Sequence, residues 1–259
     1  MISFDSRYFD PEKIYLSGQV LIGWEDKGDG SYSVRSLGKK AGLRKFPGEN
    51  GSTVTQISCP DSDNPFWTEY FDLSTDYEKI EQQADSDEYL REALEYGRGI
   101  RILRQNIWET LFSFIVSQNN NIPRITKTIR TIEEKCGGYA DFETLYENRG
   151  LLKDCGLGYR DAYLDRLVTE LHEGTRSLDF SADTDTAYKQ LLDIYGVGPK
   201  VADCVLLFGL HRMERCPVDT WMKKIFENHY NGRRPEWVNS EYAGYYQQVT
   251  FFYERGKHK

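Results

Sequence analysis

The chain has 259 residues, 39% of them hydrophobic and 14% aromatic, which excludes a disordered polymer and allows one large domain or two modest ones. No run of eighteen apolar residues occurs, so no membrane-spanning helix is expected. The start, MISFDSRYFDPEK, lacks the basic and apolar regions of a secretory signal, which predicts a cytoplasmic protein, nucleoid-associated if prokaryotic. The five cysteines, Cys59, Cys136, Cys155, Cys204 and Cys216, form no CxxC pair. Neither a zinc site nor an iron–sulfur cluster is signalled, and the thiols read as reduced and mostly buried.

The net charge of −8 speaks against nucleic acid, but it is unevenly spread. Residues 60–95 carry twelve acidic and two basic side chains. Residues 97–132 carry six basic side chains (Arg98, Arg101, Arg104, Arg124, Lys127, Arg130) against Glu109 alone. Either both blocks are ordinary solvated faces or the second is a basic face that meets phosphate.

In chain order, the first seventy-odd residues are β-rich. IYLSGQVLIGWEDKGDGSYSVRSL has two apolar runs about Lys27-Gly28-Asp29-Gly30, which predicts a hairpin. STVTQISC predicts a further strand after the turn-rich KFPGENG. From Asp76 the character changes to helices. Ile107, Leu111, Phe114 and Ile115 recur at helical spacing, as do Leu164, Leu167, Val168 and Leu171. Helices also fit 184–195 and 199–210. The expected class is α+β: a small antiparallel β domain over 1–75, then an all-helical domain over 76–259 with a helix–hairpin–helix at about 184–210.

That hairpin, LLDIYGVGPKVADCVLLFGL, is the most informative stretch. Gly196-Val197-Gly198 makes a tight turn, and Pro199 opens the second helix. The turn and helix start offer N–H groups to an anion such as a DNA phosphate. Lys200 falls in the first turn, where the helix dipole and an apolar flank favour the neutral, nucleophilic amine. Asp219, in CPVDTW, heads another helix; it is either an N-cap or a carboxylate partner for Lys200. An amine nucleophile with a carboxylate suits glycosidic bond cleavage, the amine capturing C1′ and the carboxylate stabilising an oxocarbenium ion.

GVGPKVADC followed by PVD resembles the helix–hairpin–helix glycosylases, and most closely the 8-oxoguanine DNA glycosylase branch. The resemblance implies that Lys200 is the nucleophile and Asp219 assists it. SFIVSQNNNIPRIT resembles the segment in which Asn119 fills the gap left by the extruded base and Arg124 contacts the orphaned cytosine. GLGYR resembles the wedge, with Tyr159 intercalating and Arg160 also holding cytosine. In YAGYYQQVTFF, Gln247 would bond the Watson–Crick edge of the flipped base and Phe251 would stack on it, opposite Cys204. Pro217 of the PVD stretch joins this lesion-recognition set. LSGQ resembles the turn whose glycine carbonyl, here that of Gly18, accepts the N7–H that distinguishes 8-oxoguanine from guanine.

The resemblance runs from about residue 15 to 252 and implies a bifunctional glycosylase and lyase acting on duplex DNA as a monomer. No organic cofactor is expected; a monovalent or divalent cation on the hairpin backbone would fit, and no side-chain metal site is expected. Leu21, Ile22, Gln118, Pro123 and Trp221 depart from the family pattern. The alternatives are a relative acting on another damaged purine, a lyase for abasic sites alone, and a non-catalytic DNA-binding module.

Overall fold

The computed structural model describes residues 2–84 and 87–257. After strand β1 (Ile2–Asp5), the Asp10 side chain accepts hydrogen bonds from the amides of Glu12 and Lys13 at 3.0 and 3.3 Å. With Pro11 at the first position this starts helix α1 (Pro11–Leu16). The first apolar run, expected as a strand, is therefore helical to Leu16: cap and proline override its β propensity. The expected hairpin about 27–30 joins β2 (Trp24–Asp26) to β3 (Ser31–Ser36). β4 (Lys39–Pro47) runs through the KFP stretch that reads as a turn, because pairing with β5 (Thr53–Ser58) carries it as far as Pro47 opposite Thr53. The five strands form an antiparallel sheet in the order β1-β5-β4-β3-β2. Val34, Leu43 and Ile57 face inward and pack with Phe9, Ile14, Trp67 and Phe71, all essentially inaccessible. Each such side chain contributes about 1.5–3 kcal/mol. Trp67 belongs to α2 (Asn64–Tyr70).

The remainder is helical, as expected: α3 (Tyr77–Gln82), α4 (Glu88–Gly97), α5 (Ile107–Ser117), α6 (Ile122–Lys135), α7 (Phe142–Glu147), α8 (Arg160–His172), α9 (Thr184–Leu192), α10 (Pro199–Phe208), α11 (Thr220–Tyr230) and α12 (Ala243–Lys257). Asp76, Asp87, Asn106, Asn121, Asp141, Asp183 and Asp219 each cap a helix start by accepting from its first-turn amides. Each cap contributes about 1 kcal/mol. No helix among the described residues is long and apolar enough to cross a membrane.

The sequence places the boundary at 75/76, where strands give way to helices. The compact units divide elsewhere: Met1–Arg104 with His211–Lys259 form one, and Gln105–Leu210 form the other. The sheet's unit takes helices from both ends of the chain, notably α4 and α12. Gly97 lets those two approach closely, since a Cβ there would lie 3.1 Å from Val249. Tyr89 and Tyr253 hydroxyls donate across them to Glu254 and Glu92.

Asp72 is the polar hub of this unit. It is fully buried with φ +51°. Its carboxylate accepts from Thr75 and Tyr77 hydroxyls, both at 2.9 Å, and pairs with Arg104 Nε at 3.0 Å and His211 Nε2 at 3.2 Å. Burial raises the carboxyl's pKa, but the His211 contact and the hydroxyl donors outweigh it and hold the group below the usual carboxylate value.

Candidate functional site

The expected site residues divide between the two units. Asn119, Arg124, Tyr159, Arg160, the 196–198 hairpin, Lys200 and Cys204 lie in Gln105–Leu210. Gly18, Pro217, Asp219, Gln247 and Phe251 lie in the other.

The hairpin forms as its glycines dictate. α9 ends at Leu192, short of the expected 195, and the Val197 amide donates to the Ile194 carbonyl at 2.9 Å. Gly196 has φ +85°, and a Cβ there would sit 2.3 Å from Tyr163 Cγ, so only glycine fits. Gly198 is different: its φ is −99°, and nothing lies within 4 Å of where a Cβ would stand. It caps α10 with no side chain, which leaves first-turn amides available to an anion. Lys200 follows in that first turn, half-buried, with Nζ 4.8 Å from the centroid of the Phe114 ring. The ring face attracts an ammonium and opposes the helix dipole. Cys204, one turn on and on the same face, is 2% exposed.

A closed ring of contacts joins this hairpin to the residues expected at the DNA. The Gln118 side chain donates to the Gly196 carbonyl at 2.9 Å. Arg160 Nε donates to the Gln118 carbonyl at 2.8 Å, Nη2 to the Gln118 and Asn119 carbonyls, and Nη1 to the Leu157 carbonyl. Asn119 has φ +47°, ends α5 beyond Gln118, and donates from Nδ2 to the Tyr159 hydroxyl at 3.1 Å. Tyr159 packs edge-on to Tyr163 at 5.5 Å, and Tyr163 meets Tyr195 at 5.1 Å. Tyr163 then closes the ring against Gly196. Tyr159 itself is 47% exposed, as a wedge requires. Arg160, expected at cytosine, is 6% exposed: backbone carbonyls at 118–119 and 157 turn onto the guanidinium and engage four of its five N–H donors. In this structure it positions Asn119 and Tyr159.

The basic block also divides. Arg98 pairs with Glu81, Arg104 with Asp72, and Arg101 is 1% exposed with its guanidinium on the carbonyls of Tyr8, Asp72 and Thr75. These three are structural. Arg124, Lys127 and Arg130 are exposed on α6, within an arc of about 120° at 100° per residue.

In the other unit, Gly18 follows α1 with φ +87°, a turn that suits glycine. The turn is pinned on both sides. Gln19 donates to the Arg101 carbonyl at 2.9 Å and accepts from the Leu103 amide at 3.0 Å, while Gln248 donates to the Ser17 carbonyl at 2.6 Å. Gln247, the neighbour of Gln248 on α12, is 5% exposed, and its Oε1 is buried with no hydrogen-bond partner. Such an acceptor costs about 1–3 kcal/mol until a donor arrives. Phe251 lies one turn further along the same face. Asp219 caps α11, its Oδ1 accepting from the Trp221 and Met222 amides at 3.0 and 2.9 Å. The two readings of Asp219 are compatible, since both amides share one oxygen and leave Oδ2 outside the cap. Pro217 is buried just before it. Leu21 and Ile22 are buried core, and the Lys224 ammonium lies 5.1 Å from the Trp221 ring.

Three residues of this geometry have no role assigned from the sequence: Gln118, Tyr163 and Gln248. Only Gln118 carried a signal, as a departure from the family pattern.

Comparison with known proteins identifies the fold and the family. Residues 1–111 match the family described as 8-oxoguanine DNA glycosylase, N-terminal domain. The chain is 36% identical over 159 residues to the N-glycosylase/DNA lyase of Saccharomyces cerevisiae, a stretch that spans 51% of this chain and 42% of that one. It is 31% identical over 229 residues to a probable N-glycosylase/DNA lyase of Methanothermobacter thermautotrophicus, covering 71% and 72%. Among solved structures, MBOgg1 in complex with a low-affinity DNA ligand superposes with a TM-score of 0.87 at 30% identity, covering 99% and 94%. The Clostridium acetobutylicum 8-oxoguanine glycosylase/lyase, in complex with duplex DNA containing cytosine opposite 8-oxoguanine, gives 0.86 at 29%, covering 98% and 94%. A 3-methyladenine DNA-glycosylase from Archaeoglobus fulgidus, at 0.74 and 16% identity, shares the fold alone. The fold and hairpin are thus those of the helix–hairpin–helix glycosylases. Within them, this chain belongs to the 8-oxoguanine DNA glycosylase family of N-glycosylase/DNA lyases.

Proposed function

We propose that the protein binds damaged duplex DNA, excises 8-oxoguanine opposite cytosine, and then cuts the strand through a lysine Schiff base. The observation that carries the reading is Lys200, an amine in the first turn of the helix that follows a glycine hairpin, in a chain of this family. The neutral amine attacks C1′ of the flipped nucleotide. The glycosidic pair leaves with the base, which takes a proton, while Asp219 stabilises positive charge developing on the sugar. The amine's proton is lost, the sugar ring opens to an imine, and removal of a C2′ proton expels the 3′ phosphate.

Base choice rests on Gly18, Gln247, Phe251, Cys204 and Pro217. The buried, unpartnered Oε1 of Gln247 supports the assignment, since a base edge with N–H donors would satisfy it. Asn119, Tyr159 and Arg124 fill and hold the gap, with Arg160 supporting them, and the 196–198 hairpin and the amides of α10 take a phosphate. The protein works as a monomer in the compartment that holds the genome. A monovalent or divalent cation would sit on hairpin carbonyls, an oxygen-only donor set suited to hard ions, and no step runs through it.

Borohydride trapping on a labelled 8-oxoguanine:cytosine duplex tests the reading. Wild type is expected to give a covalent adduct and Lys200→Gln none. Full trapping by Lys200→Gln would overturn the assignment. Tight duplex binding with no adduct from wild type would favour another lesion or a binding module.

A further inference from the structure

The half-buried guanidinium of Arg255 stands out near the C-terminal end of α12. Its Nη1 is fully buried and has no hydrogen-bond partner, and no ion pair engages it among the described residues. Burial disfavours its charge, and the one opposing influence is the negative charge of Asp219. A desolvated cation without an acceptor is expensive, and such groups persist where a ligand supplies the missing partner.

Its place along the helix indicates which ligand. Gln247, Phe251 and Arg255 follow at intervals of four and so share one face. The Arg255 guanidinium carbon lies 5.2 Å from the Phe251 ring centroid. Arg255 begins about 12 Å along the axis from Gln247, at about 1.5 Å per residue. If Gln247 meets the edge of the flipped base and Phe251 its face, Arg255 reaches past the base toward the sugar and its phosphates. Asp219, assigned to the sugar, is the carboxylate whose charge acts on Arg255, which places both at that end. The anion that the DNA supplies there is the phosphodiester, and a planar guanidinium matches its two oxygens.

We propose that Arg255 binds a phosphodiester flanking the flipped nucleotide, completing a line on α12 that holds base edge, base face and backbone in turn. The proposal rests on the reading of function above.

The test uses full-length protein and 8-oxoguanine:cytosine duplexes carrying one neutral methylphosphonate at each phosphate flanking the lesion in turn. One position is expected to weaken wild-type binding about 10- to 100-fold, the range for a hydrogen bond to a charged group. Arg255→Gln is expected to weaken binding of the unmodified duplex by a similar factor and to lower the salt slope by about 1. The methylphosphonate then has no further effect on that variant, and Arg255→Lys recovers part of the loss. If no flanking methylphosphonate affects wild type, the proposal is overturned whether or not the variant folds. It is also overturned if Arg255→Gln slows excision with an unchanged salt slope, which would make Arg255 an electrostatic partner of Asp219. A wild type that excises nothing overturns the functional reading itself, and is distinguishable from both.

Discussion

The two hairpin glycines make opposite demands, and replacing each with alanine separates folding from binding. At Gly196, φ is +85°, where an L-residue costs about 1–2 kcal/mol. The new Cβ would lie 2.3 Å from Tyr163 Cγ, and that ring is hemmed by Tyr159 and Tyr195, so it has little room to withdraw. Forced overpacking adds about 1–3 kcal/mol. Displacing the carbonyl loses the Gln118 hydrogen bond, about 1 kcal/mol more. The sum is about 3–6 kcal/mol, a large part of the roughly 5–15 kcal/mol that holds a domain together. Gly196→Ala should therefore lower the melting temperature by at least about 6 °C. Gly198 has an ordinary φ and open space about it, so Gly198→Ala should move the melt by no more than about 2 °C. Its Cβ would instead intrude where a phosphate approaches the α10 amides, and duplex affinity should fall. Calorimetry with duplex binding on both variants is the assay. A Gly196→Ala protein that melts within about 2 °C of wild type would refute the packing argument. Unchanged affinity in Gly198→Ala would refute the assignment of that amide cluster to phosphate.

Two further outcomes follow from buried polar groups. Gln247→Leu removes an acceptor that has no donor, so it should leave the melting temperature equal to or above wild type while excision of 8-oxoguanine collapses; a clear loss of stability would show that the amide has a structural partner. Asp72→Asn leaves Arg104 and His211 facing a neutral amide and should cost about 3–5 kcal/mol at pH 7, measured by denaturant unfolding. Because the folded carboxyl is held below its unfolded value of about 3.9, the unfolded state binds the proton first on acidification. The Asp72 contribution is thus fully present above about pH 5 and is lost as pH falls through the lower folded value. The variant's stability should be flatter than wild type below about pH 4, and an identical acid limb would sink the argument.

The hairpin, the Asp219 cap and the passage from a strand-rich start to a helical remainder were legible in the sequence because each is a local decision, although the last strand ends at Ser58 and α2 begins at Asn64, ahead of the expected 75. Gly196, Pro199 and Asp219 act on residues within a turn of themselves. What stayed hidden depends on distant partners. Arg98, Arg101, Arg104 and Arg124 look alike in composition, yet carbonyls of residues 8, 72 and 75 draw Arg101 inside, Asp72 pairs with Arg104, and Arg124 is left in solvent. Arg160 was named as a base contact by resemblance alone, and only the folded loop shows that carbonyls of Gln118, Asn119 and Leu157 also hold its guanidinium. The division into units was hidden for the same reason: no local pattern says that α12 returns to pack on α4. Arg255 was within reach, since extending the four-residue spacing from Gln247 through Phe251 lands on it.

The grip of Asp72 on Arg104 and His211 bears on how the chain is made. These are the last residue before Gln105–Leu210 and the first after it, so everything between them is an insertion whose flanks meet at a single carboxylate. During synthesis, Gln105–Leu210 emerges whole before α11 and α12 exist, and can fold on contacts of its own. The sheet's unit must wait, its α4 face uncovered, until the last helix arrives. Ser17, the neighbour of Gly18, therefore gains its Gln248 partner only at the end, and the residues proposed to read the base are assembled after the lysine proposed as nucleophile.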